Sequence, residues 1–195
     1  KCDEHCVLLI FDEIQSGFGR TGTLFAFEQM GVVPDVLLVG KALGGGMPLG
    51  AFISGHKLMR TLTVAPVLGH ITTFGGHPVS CAAGKKALEI LLEEKYMDTV
   101  AAKSELLQSL LVHPAILKMQ GIGLWFSLQF SSDMRAQKVA HACVQNGVIT
   151  DWFLFAPDCI RVAPPLIITE TEIRAACRII LASIDQVLLE HPELA

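Results

Sequence analysis

The sequence predicts an α/β protein: a mainly parallel sheet, followed by a smaller α/β domain. Three observations lead to this. An apolar run, Val7–Phe11, ends in two carboxylates, Asp12 and Glu13. A second apolar run, Val36–Val39, ends at Gly40-Lys41 after a connection with the length and pattern of a crossover. Beyond residue 94 amphipathic helical stretches alternate with short apolar ones. Short, continuous apolar runs with β-branched residues are the pattern of strands buried on both faces.

The elements come in this order. After the first strand, "QSGFGRTG" reads as a loop, and "TLFAFEQMG" as a short helix closed by Gly31 at the position that favours a left-handed backbone. Strand two is followed by "GKALGGG" and by a third strand from Ala51. "GHITTFGGHP" is a polar glycine-rich loop, and Pro78 opens a long helix, a residue suited to the first turn. Next come an amphipathic helix ending near Pro114, a single strand "GIGLWFSLQF", a helix capped by Ser132 or Asp133 and ended by Gly147, and a strand "CIRVA". A capping box, Thr169 to Glu172, opens the last helix. The expected domains are 1–94 and 95–195.

Composition narrows the function classes. Charged residues are 17% of the chain and the net charge is −4 with no basic block, which argues against a nucleic-acid partner. Mean hydropathy is high, +0.50, yet no apolar run approaches the roughly 18 residues of a membrane helix. The excess apolar surface is expected to pack against another subunit or another part of the same fold, so that much of the apolar surface of residues 6–53 is exposed in this chain alone. The six cysteines are scattered and read as reduced core residues of a cytoplasmic protein. "CDEHC" lacks a second ligand pair at zinc spacing, so no metal site is expected.

Two strands joined by a helix-containing crossover should be parallel, with a right-handed connection. Parallel strands place their carboxyl ends at one edge, where ligands bind in open α/β sheets. Asp12 and Lys41 should therefore share a crevice. Burial at that edge would favour the neutral, nucleophilic amine of Lys41, and the glycines after it would let the backbone approach a bulky adduct. The plainer readings are a strand-end lysine reaching solvent and an aspartate capping the next turn. A P-loop ATPase also ends a strand in Asp-Glu, but the G-x-x-x-x-G-K-[ST] segment is not in the sequence.

"LLIFDEIQSGFGRTGTLFAFE", "PDVLLVGKALGGGMPLGAF", "TTFGGHP" and "IRVAPPLIIT" occur in the order and spacing of class III, fold-type I aminotransferases that use pyridoxal 5′-phosphate. The chain resembles the ornithine and acetylornithine branch over its whole length. The resemblance implies roles. Asp12 would pair with the protonated pyridine nitrogen, Gln15 would bond the ring hydroxyl, and Lys41 would form the Schiff base and shuttle a proton. Thr73 would reach the cofactor phosphate of a neighbouring subunit, in a homodimer with shared active sites. Arg161 would hold a substrate carboxylate, with "DWFLFAPD" lining the pocket. His77 stands where relatives usually carry Asn. Family members are about twice this length, so the chain reads as the C-terminal half. The partner of the substrate arginine is expected in the N-terminal half, with the phosphate and ring-stacking contacts. The implied reaction moves an amino group from an amino acid or ω-amino donor to a 2-oxo acid. A dialkylglycine decarboxylase, an aminomutase and a non-catalytic binding module remain alternatives.

Overall fold

The computed structural model describes residues 1–192. The chain divides into two compact units, Lys1–Met97 and a second beginning at Asp98.

The first unit contains a three-stranded sheet in the order β1-β2-β3, with β1 at Ile10–Asp12, β2 at Val36–Val39 and β3 at Ala51–Ser54. β1 and β2 are parallel, with Asp12 opposite Leu38, and β3 runs antiparallel to β2. The first strand is shorter than Val7–Phe11. The amide of Leu9 donates to the Asp35 carboxylate at 2.8 Å, and the Leu9 carbonyl accepts from the amides of Asp35 and Val36, so the ladder begins only at Ile10. Asp35 also accepts from the Ser54 hydroxyl through its carbonyl at 2.7 Å. One residue thus ties the entry of β2 to both neighbours.

β2 is the buried strand, with Val36, Leu37 and Val39 in the core. Its neighbours are not buried: Val7, Leu8, Ile10, Phe52 and Ile53 are exposed, as their apolar character in a low-charge chain leads one to expect. The short helix after the first loop is a 3-10 turn, Ala26–Met30, ended by Gly31 at φ +63°. Four-residue α1, His56–Met59, follows β3, and α2, Pro78–Glu93, is the long helix that Pro78 opens. His77 precedes it without making a side-chain cap, a bond that asparagine is suited to make there.

The second unit is a four-stranded antiparallel sheet packed by three helices: α3 (Val100–Leu110), α4 (Asp133–Gln145) and α5 (Glu170–Glu190). The sheet order is β4-β5-β7-β6. β4 is Lys118–Ile122, β5 Trp125–Gln129, β6 Asp151–Phe153 and β7 Ala156–Val162. "GIGLWFSLQF" is therefore not one strand. Gly123 takes φ +58° and turns the chain between β4 and β5. "DWFLFAPD", expected only as pocket lining, forms a hairpin in which β6 turns into β7. Leu124, Phe126, Leu128, Phe130, Ile160, Ile173 and Ile184 lie in a continuous apolar core. The caps are those the sequence predicts: the Ser132 hydroxyl accepts from the Arg135 amide, and Thr169 and Glu172 bond reciprocally.

All six cysteines are free, but only three are buried. Cys143, Cys159 and Cys177 are core residues. Cys6 and Cys81 are exposed and Cys2 is half-buried, because the segments that carry them are not buried in this chain. Among the described residues no helix is long and apolar enough to cross a membrane, and no group of three or more His, Cys, Asp or Glu is placed to hold a metal ion.

Candidate active site

The adjacent carboxylates at the end of β1 have separate surroundings, because successive side chains leave a strand on opposite faces. Glu13 turns inward and is only 3% exposed. Its Oε1 accepts from the Phe27 amide at 2.8 Å, and its Oε2 accepts from the Ser16 hydroxyl. A buried carboxylate with two donors ties the ends of the glycine-rich loop together. Phe18, Phe25 and Phe27 pack under that loop, with Phe25 and Phe27 stacked at 5.7 Å and Phe18 edge-on to Phe25 at 5.6 Å. Gly17 is required here, since a Cβ would come within 2.7 Å of the Glu13 carbonyl oxygen. The sequence does not reveal Glu13 as an anchor. Both acids look alike until the burial pattern separates them.

Asp12 faces the open edge and is exposed. Its Oδ1 accepts from the Ile14 amide at 3.0 Å, the turn-capping bond of the plainer reading. Capping uses one oxygen and leaves the carboxylate charge at the carboxyl end of β1.

Lys41 is the second residue after β2, at φ +46°. The structure brings it to the same edge as Gln15: the Lys41 ammonium donates to the Gln15 side-chain oxygen. Asp12, Gln15 and Lys41 thus come from the ends of two hydrogen-bonded parallel strands and the first turn after one of them. The expectation of a buried Lys41 is not met. It is exposed.

The glycine run after Lys41 also differs from expectation. Gly45, at φ +57°, lies against α2, where a Cβ would come within 2.7 Å of the Ala83 carbonyl oxygen and 2.8 Å of the Ala87 methyl. A Cβ on Gly84 of the helix would meet the Leu43 carbonyl oxygen at 2.4 Å. Close packing of the Lys41 turn on α2 explains these glycines. Of the three in the run, only Gly46 has open space around its Cβ direction.

Thr73 lies in an exposed turn before α2 and is not brought to Lys41 by any described contact. Arg161 belongs to the second unit, on β7. It is not free: its Nη2 donates to the Asp151 carboxylate on β6, and its guanidinium lies 5.9 Å from the Phe153 ring centre. The acidic partner expected outside this chain therefore has a counterpart within it. Sequence reading took "DWFLFAPD" only as pocket lining and missed Asp151, which a register shift at Trp152/Phe153 in the β6–β7 hairpin sets directly opposite Arg161.

An amine and a carboxylate at the carboxyl edge of a parallel strand pair stand where ligands bind in open α/β sheets. The family model of class-III aminotransferases matches residues 1–184, and the chain belongs to that family. It is 37% identical over 173 residues to an acetylornithine aminotransferase of Haemophilus ducreyi, covering 88% of this chain and 42% of that protein. It is 37% identical over 193 residues to a succinylornithine transaminase of Yersinia pestis, covering 95% and 45%. The chain spans less than half the length of these relatives. Among solved structures it is similar to an ornithine aminotransferase from Toxoplasma gondii, described with partial occupancy of PLP at its active site (TM-score 0.87, 33% identity, 98% of this chain and 46% of that one). It is also similar to Plasmodium falciparum ornithine delta-aminotransferase (TM-score 0.85, 31% identity, 95% and 48%).

Proposed function

We propose that this chain is part of a pyridoxal 5′-phosphate-dependent aminotransferase that moves an amino group from an amino acid or ω-amino donor, of the acetylornithine or ornithine kind, to a 2-oxo acid. One observation carries the reading: Asp12, Gln15 and Lys41 are gathered at one edge by two parallel strands, with the Lys41 amine bonded to Gln15.

The residues fit the cofactor in donor chemistry. A carboxylate, an amide and a primary amine match a pyridinium nitrogen, a ring hydroxyl and an aldehyde, and no acidic side chain holds the Lys41 amine in an ion pair among the described residues. When bound, the pyridine ring would supply an electron sink for charge developing at the substrate carbon. Asp12 would hold the proton on the ring nitrogen by its charge. Gln15 would orient the ring through the ring hydroxyl. Lys41 would hold the aldehyde end of the cofactor and would move a proton at the substrate carbon as general base and acid. Thr73 would contact the phosphate held by a second subunit, in a homodimer whose sites are shared, and Arg161 would bind a substrate carboxylate. The complete enzyme supplies the remaining phosphate and ring contacts from its N-terminal half.

The test is the absorbance spectrum of the complete enzyme with pyridoxal 5′-phosphate, followed during addition of acetylornithine, ornithine, lysine or 4-aminobutyrate. A cofactor band that shifts with at least one donor and returns with a 2-oxo acid is expected. A spectrum equal to that of free cofactor, unmoved by every donor, overturns the reading.

A further inference from the structure

Arg161 is held by the strand beside it. Asp151 is its direct partner in the β6–β7 register, and the two side chains form an ion pair. The Thr150 hydroxyl donates to the Arg161 carbonyl oxygen, and Phe153 lies beneath the guanidinium. Among the described residues Arg161 is also the one Lys, Arg, Asp or Glu lining a cleft of about 160 Å³, whose walls include Val148, Ile149, Pro164 and Ile168. Asp151 does not line that cleft.

These facts set two anions against one guanidinium. An incoming carboxylate either shares Arg161 with Asp151, and is repelled by it, or displaces Asp151 and forfeits the ion pair. The fork has five donors, so sharing is geometrically open, but the second anion still binds against the charge of the first. The pair is part-exposed, with side-chain exposures of 33% for Arg161 and 50% for Asp151, so water screens the effect without abolishing it.

We propose that Asp151 competes with the substrate carboxylate for Arg161, and is thereby a specificity-determining residue that weakens recognition of carboxylate-bearing substrates. The inference rests on the reading of Arg161 as the carboxylate-binding residue. Asp151 acts through Arg161 and takes no part in the chemistry. Its removal changes carboxylate affinity and leaves the rate at saturation alone.

The experiment is steady-state kinetics of the complete enzyme with 2-oxoglutarate as acceptor and glutarate as competitive inhibitor. Asp151→Asn, close in shape and without charge, should lower the KM for 2-oxoglutarate and the Ki for glutarate by about two- to fivefold, the range of a part-exposed ion pair. kcat should stay within about twofold, since no interaction unique to the transition state is removed. Asp151→Ser should shift both constants in the same direction, and Asp151→Glu should restore values near wild type. Arg161→Gln should raise KM by about tenfold or more, the loss of a charged hydrogen bond. If Arg161→Gln raises KM while Asp151→Asn raises it or leaves it unchanged, Asp151 orients the arginine or does nothing, and the competition is overturned with the role of Arg161 intact. If Arg161→Gln leaves KM unchanged, the assignment of Arg161 fails and the competition falls with it.

Discussion

The ammonium of Lys41 donates to the side-chain oxygen of Gln15, 26 residues earlier in the chain. No local turn makes that contact. It exists because β1 and β2 run parallel and in register from Ile10↔Val36 to Asp12↔Leu38, so that the turns after both strands emerge at one edge.

Removing the amine should therefore remove the reaction. Lys41→Ala in the complete enzyme is expected to lower kcat by about 10²–10⁴-fold or more, the scale of a lost general base. Cofactor should still be retained through its other contacts. Amino-transfer assays with the best donor check it, and near-normal turnover would leave Lys41 as an ordinary strand-end lysine.

Asp12→Asn separates charge from capping. Asparagine keeps an oxygen for the Ile14 amide, so the turn should survive. Loss of the charge should lower kcat by about a hundredfold or more, the scale of a missing electrostatic stabiliser. Circular dichroism of the folded enzyme and single-turnover rates measure the two effects separately.

Glu13 should behave in the opposite way, as a residue of stability. Glu13→Ala leaves the part-buried Phe27 amide and Ser16 hydroxyl without their acceptor, at a cost of up to about 1–3 kcal/mol per unsatisfied group. Urea titration of the complete enzyme should show a lower midpoint. An unchanged midpoint would mean that water or a second segment satisfies both donors.

Much of this was legible in the sequence. The parallel pair, the long helix from Pro78, the Thr169 capping box and the common edge of Asp12 and Lys41 follow from apolar runs, turn chemistry and strand direction, whereas Gln15, which bonds Lys41, came only through the family resemblance. The illegible features depend on tertiary contacts. A glycine run cannot say whether it clears space for a ligand or for a helix, and Gly45 clears it for Ala83 and Ala87. An apolar run cannot say that it holds a hairpin when the turn is only Gly123-Leu124 or Leu154-Phe155. Asp151 gained meaning only when the register placed it beside Arg161.

The glycine reading has its own test. Gly45→Ala adds both backbone strain and a collision with α2, whereas Gly46→Ala, at φ +94° with nothing near its Cβ direction, adds strain alone. Gly45→Ala should be the more damaging, by about 1–3 kcal/mol, the usual cost of overpacking. Equal melting temperatures for the two variants would contradict the packing explanation.

Cys177 supplies a pH dependence. Burial pushes its thiol up from 9.0 to about 11. The folded state therefore holds this proton more tightly than the unfolded state does, so the stability linked to Cys177 is constant below about pH 9 and falls between about 9 and about 11. In the folded enzyme Cys177 should resist alkylation at pH 8, while exposed Cys6 and Cys81 react unless the rest of the enzyme covers them. Mass spectrometry of labelled peptides reads this directly.

The most direct measurement of the central claim is borohydride reduction of the complete enzyme loaded with pyridoxal 5′-phosphate, followed by peptide mapping. The account predicts one phosphopyridoxyl group per subunit, on Lys41, and none in Lys41→Ala. Its appearance on Lys57 or Lys118 in place of Lys41 would contradict the account.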